Sequence, residues 1–284
     1  MWLLPGQLPV IPEIDVGEKA RADVLLVRKN IFSTREKAKA ALMQGAVAFD
    51  GKVISKAGTL VSVNSVIEVK KPPKYVSRGG FKIEKALSEF DIDLEDKIVI
   101  DVGVSTGGFT DCLLKNGARR IIAVDVGYGQ IDLKLRNDPR VYLIERTNIR
   151  YLESDDIPEK ADLAAIDISF ISVLKILENL SNLLKKKSKL LILLKPQFEA
   201  GKDSVGKKGV IKDAKVHEKV ITKVTEGICK RNYRILGIAY SPILGAKGNI
   251  EFWIYAEENK GKKEVISEEE ISRIVKQAHQ ELLR

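Results

Sequence analysis

Apolar positions along the chain change their period twice. Val24, Leu25 and Val27 share one side of a short helical run over residues 21–30, and Ile31-Phe32 leads from it into Ser33-Thr34-Arg35-Glu36. That string has capping-box spacing: the Ser33 hydroxyl can accept from the Glu36 amide while Glu36 reaches back. A second helix is therefore expected to run to Gln44 and stop at Gly45. Short alternating runs follow at 46–49, 53–54 and 60–69, with Asp50-Gly51 as a two-residue hairpin turn, and predict a small sheet beneath the helix pair. Lys70-Lys71-Pro72-Pro73-Lys74 ends this pattern, because adjacent prolines remove two amide donors and favour extended backbone. A helix over 77–90 comes next, with Phe81, Ile83, Ala86, Leu87 and Phe90 as candidate buried positions. From Lys97 onward, strands at 98–102, 121–126, 141–144, 163–166 and 190–194 alternate with helical or looping segments, as in a parallel α/β sheet. Two further strands, 234–240 and 250–256, are separated by Ser241-Pro242 and a loop at 245–248, which suits an antiparallel hairpin at the sheet edge. Ser267 and Glu270 repeat the capping-box spacing and predict a C-terminal helix.

These elements predict an α/β chain. A seven-stranded domain over 77–258, resembling the Rossmann-like methyltransferase fold, is preceded by a small α+β domain over 20–70 and a linker at 71–76. A helical tail over 259–284 follows.

Charge separates the two parts more sharply than composition does. The 284 residues carry a formal net charge of +9, yet between Lys19 and Lys85 there are 15 Lys and Arg against 5 Asp and Glu, so this stretch holds +10 and the remainder −1. Such segregation points to a polyanionic partner for the N-terminal part. Arg21, Arg28, Arg35, Lys37 and Lys39 on the helical segments, and Arg78 just after the linker, are candidate RNA contacts, with Lys52 and Lys56 after the hairpin turn adding to the electropositive surface. The helix pair and sheet over 21–69 resemble the S-four type of RNA-binding domain; a helix-turn-helix that binds protein is the alternative. Cys112 and Cys229 are far apart and lack a companion at metal-ligand spacing, so no metal and no disulfide framework are expected, and a reducing cytosol fits best. The apolar residues 1–10 are interrupted by Pro5 and Pro9 without a basic flank, which argues against a signal peptide. No run approaches the ~18 apolar residues of a membrane span. A cytoplasmic protein without membrane contact is expected.

Asp101-Val102-Gly103-Val104-Ser105-Thr106-Gly107-Gly108-Phe109 leaves a strand and enters a helix expected near Thr110. Glycines there allow a sharp turn and close approach of backbone to ligand. A dinucleotide-binding loop would want glycine at Ser105 to seat a pyrophosphate. S-adenosylmethionine has no phosphate and tolerates a small polar residue at that place. Asp101, Gly103, Ser105, Thr106, Gly107, Gly108 and Phe109 are thus candidate cofactor residues. Asp125, ending the next strand, is suited to ribose hydroxyls, and Asn148 to adenine.

Asp167 follows the fourth strand and Lys195 the fifth, at the edge where open α/β sheets bind ligands. If the last strand is antiparallel, its beginning lies at the same edge and brings Glu251 to the pair, and Lys82 on the preceding helix could complete a group of four. Each has a plain alternative as a helix cap, a surface charge or an outward strand residue.

At this point the chain resembles a known family. Ser77-Arg78-Gly79-Gly80-Phe81-Lys82, residues 101–110, Asp167-Ile168-Ser169-Phe170, Lys195-Pro196-Gln197-Phe198-Glu199 and Asn249-Ile250-Glu251 look like the motifs of TlyA ribosomal RNA methyltransferases, in order and spacing. Val104, where alanine would be expected, is a small departure. The resemblance implies an S-four domain joined to an FtsJ-like methyltransferase domain, S-adenosylmethionine as cofactor, ribosomal RNA or ribosomal subunits as partner, and 2′-O-methylation of cytidine. Its Lys-Asp-Lys-Glu tetrad maps onto Lys82, Asp167, Lys195 and Glu251. A ribose hydroxyl is a very weak acid, so Lys195, with Lys82 and partial burial promoting its neutral form, is expected to serve as base or to stabilise oxyanion charge while the carboxylates orient the lysines. Base methylation would call for an aromatic or amide group at a base edge or a cysteine nucleophile, and none is expected. A non-catalytic RNA-binding or ribosome-assembly factor is the main alternative, and a membrane-active haemolysin, a label family members have carried, a distant third.

Overall fold

The computed structural model describes residues 18–43, 45–70, 74–201, 206, 209–245, 247–259, 261 and 266–283. It divides the chain into two units, Met1–Lys74 and Tyr75–Arg284.

In the first unit, β1 (Lys19–Arg21) leads directly into α1 (Ala22–Arg28), and α2 (Arg35–Met43) packs against α1. The helical run is thus shorter than its apolar pattern suggested, because Arg21 is taken into a strand. The cap of α2 is also displaced by one residue: Thr34 Oγ1, not Ser33, accepts from a backbone amide, that of Lys37, at 3.2 Å. Gly45 has φ of +69°, as a left-handed helix stop requires, while Gln44 lies outside the described residues. Strands β2 (Val47–Phe49) and β3 (Lys52–Val53) are joined by Asp50 and Gly51, both at positive φ, which gives the turn the twist that antiparallel strands need. β4 (Leu60–Ser62) pairs with β1, and β5 (Ile67–Val69) with β2. Leu25, Leu26, Leu42, Val47 and Phe49 form the core of this unit.

The second unit contains α3 (Arg78–Glu89), β6 (Ile98–Val102), α4 (Gly108–Lys115), β7 (Arg120–Val124), α5 (Leu133–Arg136), β8 (Val141–Ile144), β9 (Ala161–Ile166), α6 (Leu177–Asn182) and β10 (Leu184–Leu194). It continues with α7 (Pro196–Glu199), α8 (Ala214–Cys229), β11 (Tyr233–Tyr240), β12 (Phe252–Glu258) and α9 (Glu268–Leu282). The seven strands lie in the order β11-β12-β10-β9-β6-β7-β8, and β12 alone runs against its neighbours. The central strands β6 and β9 and the second half of β10 are mostly apolar and buried because both faces are covered. Ile98, Ile100 and Val102 of β6 face a core completed by α6, α8 and α9, whereas Val99 faces α3 and α4. The chain after 258 is no separate tail: Ile271, Ile274, Val275 and Ala278 of α9 are buried in that first core. β10 starts six residues before its apolar run, with a bulge that holds Lys187 at φ of +60°.

Asp23 is the charged residue at the heart of the small unit. It is 3% exposed, accepts two hydrogen bonds from Arg21 at 3.0 and 3.1 Å, and a third from Arg35 at 2.9 Å. The Arg21 guanidinium, aided by Arg35 and opposed by burial, pulls its carboxyl down to about 2. A depressed carboxyl stabilises the fold fully above the ordinary carboxylate range and progressively less as pH falls towards 2. Asp23→Ala should therefore destabilise this unit by about 1–3 kcal/mol at neutral pH, with the half-exposed arginines limiting the cost. Urea denaturation followed through the Leu25 and Leu26 methyl NMR signals should show this deficit at pH 7 and its shrinkage below pH 3; a deficit that does not vary with pH would refute the charge role.

Candidate active site

The carboxyl ends of β6, β7 and β9 open onto a cavity of about 760 Å³ lined by Gly103, Ser105, Asp125, Asn148, Asp167 and Phe170, among others. Gly103 sits at φ of +91°, and a Cβ there would come within 2.5 Å of the Asp167 carbonyl oxygen. Only glycine lets the loops after β6 and β9 approach this closely. Asp125 accepts from the Ser105 and Gly127 amides, both at 2.7 Å, which fixes its carboxylate and shapes the loop after β6. Asn148 accepts from the Arg150 amide at 3.1 Å.

The other residues expected to touch cofactor do not line this cavity. Asp101 is fully buried and accepts from the Thr110 hydroxyl at 2.6 Å; burial pushes its carboxyl up to about 7. Phe109 is 3% exposed and packs against Trp253. Gly107 caps α4, and Gly108 gives α3 room to dock, since a Cβ there would meet Ser77 Oγ at 2.2 Å. Thr106 is exposed, and its carbonyl accepts from Asp132. These residues shape and support the loop, because its side chains alternate between the cavity and the core beneath it.

Four charged residues converge beside the cavity as two ion pairs. Lys195, which follows β10, lies 2.5 Å from Asp167 Oδ1 and donates to Ser169 Oγ at 2.9 Å. Lys82 of α3 lies 2.6 Å from Glu251 Oε2. The reversed direction of β12 carries Glu251 to this edge. Each ammonium thus rests on a carboxylate, so the nearest charge to each is of opposite sign. Glu251 is 3% exposed, and burial raises its carboxyl above the ordinary range, with Lys82 opposing.

A second cavity of about 300 Å³ is lined by Lys82, Lys195 and Glu251 together with Gln197, Phe198 and Lys247. Ser169 and Phe170 line both cavities, and Asp167 lines the first, so the charged group stands where the two meet. Phe170 was not singled out from the sequence beyond its place in a motif. It is 89% exposed, held at φ of +68°, and its ring centroid is 5.0 Å from that of Phe198. Gln197 has a buried Oε1 without a hydrogen-bond partner among the described residues. The expectation that no aromatic or amide group would be available for a base edge is therefore corrected. The available signal was an aromatic three residues after the charged residue in each motif, with an amide, Gln197, two residues after Lys195.

In the N-terminal unit, Arg21 and Arg35 are engaged by Asp23, Arg28 by Glu18 at 3.1 Å, and Lys37 donates to Ser33 at 3.1 Å; Lys39 is exposed. Arg78 belongs to the other unit, where it donates to the Leu244 carbonyl at 2.8 Å. Among the described residues, no helix is long and apolar enough to cross a membrane, and no cluster of three or more His, Cys, Asp or Glu could hold a metal ion.

Comparison with known proteins matches residues 75–258 to the FtsJ-like methyltransferase family and residues 20–67 to the S4 domain. The chain is 47% identical over 272 residues to YqxC of Bacillus subtilis, described as a candidate rRNA methyltransferase, covering 94% of this chain and 96% of that one. It is 37% identical over 242 residues to the 16S/23S rRNA (cytidine-2′-O)-methyltransferase TlyA of Mycobacterium tuberculosis, covering 84% and 90%. A solved structure from Streptococcus thermophilus, described as a candidate hemolysin, shares 41% identity, with 93% and 96% of the two chains covered and a TM-score of 0.73.

The Lys82–Glu251 pair gives a direct test of the electrostatics. Removing Lys82 leaves a buried carboxylate without its cation, which costs about 3–5 kcal/mol when the group is charged. Glu251 escapes the cost by taking up a proton, so its raised pKa rises further; a carboxyl of raised pKa favours the fold at low pH and loses that contribution as pH rises through the folded value. The melting temperature of Lys82→Met should accordingly fall further below wild type at pH 8 than at pH 5. A deficit of equal size at both pH values would show that the pair is not the source of the stability.

Proposed function

The chain belongs to the FtsJ-like methyltransferase family, with an S4 domain at its N-terminus, and from that premise we propose that it transfers a methyl group from S-adenosylmethionine to the ribose 2′-hydroxyl of cytidine in ribosomal RNA. The observation that carries this reading is the pair of lysine–carboxylate bridges standing between a large cavity and a smaller one. A site that joins two ligands needs two compartments and a polar group where they meet.

The larger cavity fits the cofactor. Asp125, Ser105 and Asn148 offer hydrogen-bonding groups along its wall, and the loop at Gly103 is as close to the floor as backbone can come. Asp125 keeps acceptor capacity beyond its two amide bonds, enough for ribose hydroxyls. Bound there, S-adenosylmethionine supplies an electrophilic methyl group on a positively charged sulfur. The chain's own task is to present the hydroxyl and deal with its proton. Lys195 Nζ serves the developing alkoxide, either by accepting its proton or by offsetting its charge while solvent takes the proton. Asp167 and Ser169 fix its direction, while Glu251 holds Lys82 beside it.

The smaller cavity suits the nucleotide. Phe170 and Phe198 offer apolar ring faces for an unstacked base, and the unpartnered Gln197 Oε1 is an acceptor suited to the exocyclic amine of cytosine. The TlyA relative acts on cytidine in rRNA by its name, which agrees with this assignment. The exposed Lys37 and Lys39 suit RNA phosphates, and a ribosomal substrate sets the reaction in the cytoplasm. A non-catalytic RNA-binding role accounts for the basic unit but leaves the paired lysines at the cavity junction without a purpose.

Lys195→Ala should lower single-turnover methyl transfer to unmodified ribosomal RNA by at least ~100-fold while leaving S-adenosylmethionine affinity, measured by titration calorimetry, within about twofold. Near-normal turnover would remove Lys195 from the chemistry, and absence of transfer by wild type to subunits or free RNA would favour the non-catalytic role.

A further inference from the structure

Three lysines line the smaller cavity, and only two of them are neutralised there. Lys82 rests on Glu251 and Lys195 on Asp167, whereas no carboxylate among the described residues lies within ion-pair distance of Lys247. The third ammonium stands on a turn held in several places. The Gly245 amide donates to the Asn249 carbonyl, the Gly248 amide donates to the Gly245 carbonyl, each at 2.9 Å, and Gly248 takes φ of +89°. Asn249, 1% exposed, ties the turn to the neighbouring segment by accepting from the Ile211 amide at 2.9 Å and donating to the Gly209 carbonyl at 2.8 Å. The Lys247 side chain itself runs beside Gly209, with Nζ 3.8 Å from where a Cβ would stand. Lys247 is exposed and carries its charge at the wall of this cavity.

We infer that Lys247 binds the phosphodiester on the 3′ side of the acceptor ribose and is a binding residue for the RNA substrate. The inference rests on the ribose-hydroxyl reading above. Lys195 and Lys247 line the same cavity of about 300 Å³, so a nucleotide whose hydroxyl is seated at Lys195 has its own phosphates in the compartment that Lys247 lines. The 3′-phosphodiester is bonded to the carbon adjacent to the one that bears the acceptor oxygen. Its negative charge opposes formation of an alkoxide on that oxygen, as any like charge close by does. A cation on the phosphate offsets this penalty at the moment the proton leaves. Lys82 and Lys195 cannot fill this place while each is held by its own carboxylate. Lys247 therefore contributes twice, to RNA affinity through the phosphate and to the chemical step through the oxygen next to it.

The test uses the full-length chain and unmodified 16S and 23S rRNA transcripts as probes, comparing wild type, Lys247→Ala and Lys247→Arg. Binding across a salt series should show affinity about 5–10-fold weaker for the alanine variant at 0.1 M salt, and the slope of log affinity against log salt reduced by about 0.7–0.9, the share of one phosphate contact. Single-turnover transfer at saturating RNA should fall as well, with cofactor affinity unchanged, and arginine should restore most of both. Affinity, slope and transfer rate all equal to wild type in Lys247→Ala would overturn the inference while leaving the methyl-transfer reading intact. Wild type that binds the transcripts with the predicted Lys247-dependent slope but transfers no methyl group would overturn the methyl-transfer reading, and with it the placement of the contact beside an acceptor ribose, leaving a phosphate contact alone. A loss of transfer in the alanine variant without any change in slope would also overturn it, because the phosphate contact would then be absent.

Discussion

Two lysines and two carboxylates are withdrawn from water at one edge of a parallel sheet, and neither sign could be placed there without the other. Lys82, Lys195 and Glu251 have side chains only 12%, 11% and 3% exposed. An unpaired charge at such depth would be neutralised by proton transfer or would unfold the site, whereas paired charges remain ionic and hold a defined geometry. The requirement reaches into the topology. Asp167 and Lys195 come from adjacent parallel strands, but a carboxylate for Lys82 must arrive from a strand whose beginning, not its end, lies at this edge. The antiparallel β12 supplies it between β10 and β11.

The loops around the group answer to the same constraint. Gly103 allows the β6 loop to lie against the Asp167 backbone, so the cofactor cavity and the ion pair share a wall. Gly245 has a parallel role on the other side, where a Cβ would come within 2.3 Å of Glu251 Oε1. Glu199 is buried and accepts from the Val173 amide at 2.7 Å, which anchors the far end of the loop that carries Ser169 and Phe170. The chemistry is therefore positioned mainly by backbone, which has less freedom than long side chains.

Much of this was legible in the chain because its periods are strong. Strands buried on both faces give continuous apolar runs, and Asp167, Lys195 and Glu251 each mark where such a run ends or begins, so topology alone predicts their convergence. What was not legible depends on direction. Asp101 and Phe109 belong to the same loop sequence as Gly103 and Ser105, but their side chains turn into the core, and spacing does not reveal which way a loop residue faces. Lys19-Ala20-Arg21 has no strand signal and pairs only because β4 provides an edge. Thr34 displaces Ser33 as a cap by a shift of one residue, within the ordinary uncertainty of helix ends. Arg21 and Arg35 looked like free cations until Asp23 was found buried between them. Phe170 was hidden for another reason: a large aromatic side chain is expected to be mostly inside, and this one is almost wholly exposed.

Whether the hydroxyl is the acceptor decides the account, because the purpose assigned to the two ion pairs depends on a proton that must leave oxygen. Once the modified nucleotide has been mapped with labelled cofactor, a transcript carrying a single 2′-deoxy substitution at that nucleotide removes the nucleophile and little else. The account predicts binding within about tenfold of the unsubstituted RNA, since one lost hydroxyl contact is worth about 0.5–1.5 kcal/mol, together with no methyl transfer to that nucleotide. Continued methylation of the deoxy nucleotide would place the acceptor on the base and contradict the account.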